Sequence, residues 1–141
     1  MIAANGVVGA GDSDPGRALA PGSYITIYGA NLSPTTRSFV TPYLPISLVG
    51  VSVSFDVASV GISVPGRISY VSASQINVQI PWELQGQTSA MVKVTNNGVS
   101  SALYTLPLAG YAPAFLAALT AQRGQPVSIY ANGLGPVDNQ P

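Results

Sequence analysis

Apolar and polar residues alternate with a period of two in four separate stretches of the chain, and no other feature limits its fold as tightly. Ser23 to Tyr28, Val51 to Phe55, Gln75 to Ile80 and Met91 to Thr95 each place every second side chain on one face. A strand can bury one face and wet the other, so the pattern predicts half-buried strands; a helix would need a repeat of about 3.6 residues. The expected inward set is Ile25, Ile27, Val51, Val53, Phe55, Ile76, Val78, Ile80, Val92 and Val94. Asn97-Gly98 joins Ala90 to Asn96 with Val99 to Leu106 as a type I′ hairpin turn would, because both residues tolerate positive φ. Ala112 to Gln122 contains Pro113 and no helix cap, and is expected to be an extended linker or strand.

With 141 residues there is room for one sandwich of two sheets, which takes about 100 residues. Hydrophobic residues make up 47% of the chain and charged residues only 7%, so it must bury apolar surface rather than stay disordered. The cations Arg17, Arg37, Arg67, Lys93 and Arg123 stand singly among Asp12, Asp14, Asp56, Glu83 and Asp138, and the net charge is zero. No basic stripe exists to neutralise a phosphate backbone, so nucleic acid is not an expected partner. A neutral surface rich in Ser, Thr, Asn and Gln also lacks the repulsion that keeps copies apart, which makes self-association physically easy. No run approaches a membrane span. Met1 to Val8 has neither the basic start nor the apolar core of a secretory signal, so export would imply a signal removed or lying outside this sequence.

The chain repeats itself. Gly22 to Pro34 matches Gly124 to Pro136 at an offset of 102, with Gly, Ile, Tyr, Leu and Pro coinciding. That offset is about one sandwich long, so the expected organisation is a complete unit followed by the opening strand of a second. The expected boundaries are an N-terminal extension over 1–21, a sandwich over 22–110, and a linker with the first strand of an incomplete repeat over 111–141. The last strand, Pro126 to Ala131, would then have no following strands in its own chain to pair with.

The order "PGSYITIYGANL" (21–32), "VSVSF" (51–55), "ISYVSASQINVQIPWELQG" (68–86) and "MVKVTNNGVSS" (91–101) resembles the IPT/TIG-type immunoglobulin-like domain. It is similar, more closely, to a C-terminal domain repeated in secreted proteins of soil Acidobacteria such as Solibacter. The resemblance runs over about residues 5 to 137, with 70–86 its most specific part. It implies an all-β immunoglobulin-like sandwich, here with an extra C-terminal strand, export to the cell surface or beyond, no catalysis and no cofactor. The chain departs from that pattern in the short segment from Ala117 to Gln125.

The residues themselves speak against an enzyme. Histidine and cysteine are absent, and no Ser-x-x-Lys pattern precedes Lys93, so a serine nucleophile has no base. Asp56 and Glu83 are better explained as solvated turn residues than as a glycosidase pair, and Asp12-Ser13-Asp14 offers too few oxygens for calcium. No metal or cofactor is expected. The leading expectation is an extracellular structural subunit whose copies assemble into a filament by strand donation, with Ile2, Val7, Val8, Val127, Ile129, Tyr130 and Leu134 at the assembly interface. The alternative is a carbohydrate-binding or adhesive module of a larger surface protein, with surface glycans as partner and Trp82 as the platform, although a capping role suits Trp82 as well.

Overall fold

Every side chain that the alternation assigns to the interior is buried, as two facing sheets require. The structure is a computed structural model and describes residues 1–137. Its strands in chain order are β1 (Ile2–Gly9), β2 (Tyr24–Gly29), β3 (Arg37–Ser38), β4 (Ser47–Leu48), β5 (Val51–Val57), β6 (Ile62–Pro65), β7 (Arg67–Val71), β8 (Gln75–Gln79), β9 (Ser89–Asn96), β10 (Val99–Ser100), β11 (Tyr104–Pro107), β12 (Ala114–Phe115) and β13 (Ala131–Asn132). One sheet runs β1-β2-β8-β7-β3; the other runs β10-β9-β5-β4, with β11 also on β9 and β6 also on β5. Neighbours in both sheets are antiparallel. The result is an all-β, immunoglobulin-like sandwich with a small β12-β13 sheet beside it.

The core is made where the two central strand pairs meet. Ile25 and Ile27 of β2 register with Val78 and Ile76 of β8, while Val53 and Phe55 of β5 register with Val94 and Val92 of β9. All eight join one buried cluster. Gly66 marks the closest approach: a Cβ there would lie 2.5 Å from Val78 Cγ2 and 2.7 Å from Phe55 Cε2. In β7 a bulge between Ile68 and Tyr70 sets Ile68 and Val71 both inward, a spacing that strict alternation forbids. The Asn97-Gly98 turn forms as expected, with φ of 48 and 84, and pairs Val99 with Asn96.

Three expectations are corrected. Residues 1–21 are not an extension outside the sandwich. Ile2–Gly9 pairs with β2 in its own sheet, Val7 is buried, and Leu19 makes a parallel bridge to Leu108. Without β1 the core strand β2 would keep an open edge, and this segment closes it. The strand after the hairpin is also interrupted: β10 ends at Ser100 and β11 resumes at Tyr104 one residue out of register. Ser101 fills the gap, donating its N–H to Val94 O at 2.8 Å and accepting from Val94 N–H on its hydroxyl at 3.1 Å. The strand expected over Pro126 to Ala131 lies instead at Ala131–Asn132, paired with Ala114–Phe115 of its own chain. Asp138, counted among the anions, lies outside the described residues.

Val78 sits fully buried at the meeting point of the sheets. Val78→Ala should lower the unfolding free energy in a urea titration by about 1–3 kcal/mol with little change in slope, since it removes two methyl groups from a site with no room to relax. A loss indistinguishable from zero would place Val78 outside the core.

Candidate functional site

After β11 the chain leaves the sandwich and returns to it as a flap. Ala114 registers with Asn132 and Phe115 with Ala131; Ala112 N–H donates to Gly133 O and Leu116 N–H to Tyr130 O, each at 2.9 Å. Asn132 fixes this flap to the sandwich. Its Oδ1 accepts from Tyr24 N–H at 2.8 Å and its Nδ2 donates to Tyr24 O at 2.8 Å, with a longer contact to Ala10 O at 3.4 Å. The side-chain amide presents the same donor and acceptor as a peptide group, so it satisfies Tyr24 N–H at the start of β2 and shares Tyr24 O with the Ala10 N–H, 2.9 Å away. The turn that follows needs glycine: Gly133 and Gly135 have φ of 73 and 96, and a Cβ on either would overlap the Ala112 carbonyl or the Tyr111 ring.

A second, polar contact lies beside this latch, at Pro113. Arg17 Nη1 meets Asp12 Oδ2 at 2.7 Å and Arg17 Nη2 donates to Pro113 O at 3.5 Å. The hydrogen bond from the Asp14 amide, joined by the Arg17 guanidinium, holds the Asp12 carboxyl below its ordinary value against the opposing effect of desolvation. A depressed carboxyl lends its contribution above the ordinary carboxylate range and loses it as pH falls through the depressed value. This contact is exposed, so its contribution is small.

The repeat acquires its meaning from burial. In the first copy Ile25, Ile27 and Leu32 are 0%, 0% and 1% exposed; their counterparts Val127, Ile129 and Leu134 are 48%, 53% and 65% exposed. Tyr130 is 72% exposed. The same pattern that fills the core once is therefore displayed to solvent the second time. Of the expected interface residues, Val127, Ile129, Tyr130 and Leu134 lie together in this open segment. Val7 and Ile2 do not belong with them, because β1 commits Val7 to the core and packs Ile2 against it; Val8 is half-buried on the same strand.

Trp82 opens the short 3₁₀ turn Trp82–Leu84. Its six-membered ring lies on Gly22, where φ is 81 and any Cβ would overlap the ring. The indole separates two depressions. One, of about 240 Å³, runs beneath the flap between Tyr24, Leu116, Asn132 and Leu134. The other, of about 140 Å³, is a groove lined by Ile46, Pro65, Arg67, Gln79, Pro81 and Glu83. The ring thus caps the Gly22 backbone and borders both depressions. Asn132 was not foreseen; the Asn-Gly pair that begins its turn is the one local signal it leaves.

Asn132→Asp keeps the shape of the latch but sets an acceptor against the Tyr24 and Ala10 carbonyls. Amide exchange at Ala112 and Leu116 should quicken by about tenfold or more, with Val78 unchanged. Unaltered exchange at both flap amides would show that Asn132 does not hold the flap.

No curated protein and no solved structure matches the chain. The family model of the IPT/TIG domain matches residues 15–107, from the approach to β2 through the end of β11, leaving β1 and the flap outside it. The chain belongs to the IPT/TIG domain family.

Proposed function

We propose that this chain is a non-catalytic structural module working outside the cell or at its surface, and that copies of it join through the C-terminal flap. The observation that carries this reading is the exposure of Val127, Ile129 and Leu134, whose counterparts in the first copy are core residues. Residues 126–130 have strand chemistry yet join no strand among the described residues, where Tyr130 O accepts from Leu116 N–H. Their apolar side chains and remaining main-chain groups would gain from an edge to pair with. Among the outer strands, β1 is the longest at 8 residues, whereas β6 has 4 residues and ends in Pro65, which cannot donate. Donation from the flap of one copy to β1 of the next is a head-to-tail contact, and such a contact grows into a filament unless it closes. The zero net charge fits the same reading.

The test is a double variant, Val127→Asp with Ile129→Asp, on a surface the sandwich does not use. Wild type should show oligomers or fibres by light scattering and electron microscopy, and the variant should be monomeric with unchanged thermal stability. A wild type that stays monomeric at its highest soluble concentration, or a variant that assembles equally well, would remove this function. A second reading, an adhesive module that holds glycans, is favoured by the groove beside Trp82.

A further inference from the structure

We infer that the groove beside Trp82 is a binding site for the neutral pyranose units of a glycan. Its walls are of two kinds. Ile46, Pro65, Pro81 and the Trp82 indole form an apolar side, and Arg67, Gln79 and Glu83 supply polar groups around it. A pyranose ring has the complementary character, with a face of C–H groups that stacks on an aromatic ring and a rim of hydroxyls that both donate and accept.

The polar groups are not consumed by the fold. Arg67 donates through Nη1 to Leu44 O at 3.1 Å, which steadies the guanidinium and leaves its other N–H groups available. Gln79 donates through Nε2 to Gly22 O at 2.8 Å, which orients the amide so that Oε1 remains as an acceptor. Arg67 and Glu83 line one groove with opposite charge, yet neither is in an ion pair among the described residues. Trp82 Nε1 is buried with no hydrogen-bond partner among them. Donors and acceptors of both signs therefore surround one aromatic ring, and each carboxylate or guanidinium can engage a vicinal diol.

Net neutrality of the lining argues for an uncharged ligand. An anionic sugar would gain at Arg67 and lose at Glu83. The volume of about 140 Å³ is far below that of a pocket for a drug-sized ligand, so the groove holds a short stretch of chain, with the remainder lying on the surface. That surface is suited to it, because Ile46 continues into a loop where Val40 and Tyr43 are highly exposed.

Trp82 is the single tryptophan of the chain, so one indole N–H resonance and one fluorophore report on the groove. The probes are hexasaccharides of β-1,4-linked glucose, α-1,4-linked glucose and β-1,4-linked mannose, with triglycine as a zwitterion that could satisfy Arg67 and Glu83 without stacking. At least one hexasaccharide should shift the indole resonance saturably, with Kd on the order of 1 mM. Arg67→Ala and Glu83→Ala, both at exposed positions, should each weaken binding about tenfold while the remaining spectrum stays that of the folded chain. Trp82→Ala should abolish binding, but because the ring also packs on Gly22 the decision rests on the two charge variants. An indole resonance unmoved by all three sugars would overturn the assignment. Equal binding by both charge variants, or tighter binding of triglycine, would overturn it as well.

Discussion

Strand β2 has both of its edges occupied, and the rest of the molecule is arranged around keeping them so. β8 pairs along one side from Tyr24 to Tyr28, and β1 along the other. At the start of the strand Ala10 N–H still reaches Tyr24 O, and the Asn132 amide joins it there and accepts from Tyr24 N–H. Gly22, two residues earlier, donates its N–H to Ile80 O and lets Trp82 lie flat against the backbone. The N-terminal segment, the flap and the aromatic groove thus converge on one short stretch, because an unpaired backbone group beside a core strand is costly and each neighbour removes one.

The sandwich was largely legible in the sequence, since each of its central strands has one wet and one dry face. Ile25, Ile27, Val53, Phe55, Ile76, Val78, Val92 and Val94 follow from alternation alone, and Asn97-Gly98 follows from the φ values its turn demands. β1 was not, because Ala3-Ala4-Asn5-Gly6 interrupts the alternation and a positive φ at Asn5 bulges the strand. The Val49-Gly50 turn escaped for a related reason. Val49 holds φ at 46, which a β-branched residue accepts only under tertiary constraint, here the packing of the two neighbouring turns through Asn97 N–H and Gly50 O.

The site was legible only in part. Alternation in Val127 and Ile129 tells what the segment can do in a sheet, and cannot tell whether a partner is present; among the described residues 126–130 join no strand. Asn132 bonds to a residue 108 positions away, so its Asn-Gly pair signals the turn but no local pattern encodes the bond. Trp82 was visible as an aromatic at a strand end, but its pairing with Gly22 and its neighbours Arg67 and Glu83 come from three separate parts of the chain.

The flap is also a weakly held part of the molecule, and that weakness suits the proposed exchange of partners. It rests on a ladder of two residue pairs, one side-chain amide and one long hydrogen bond from Arg17 to Pro113 O, each hydrogen bond contributing about 1 kcal/mol net. Ordering its residues opposes this with conformational entropy of about 1–2 kcal/mol per fixed residue, only partly offset by apolar burial because its large side chains stay exposed. Local opening of such a segment leaves the core cluster intact, since Ile25, Ile27, Val78 and Phe55 draw no packing from it. Released, Val127, Ile129 and Leu134 would bring to a neighbouring edge the same alternation that fills the core at Ile25, Ile27 and Leu32. The folded-back flap and the proposed donated strand would then be two placements of one sequence pattern, separated by the few contacts that Asn132 organises.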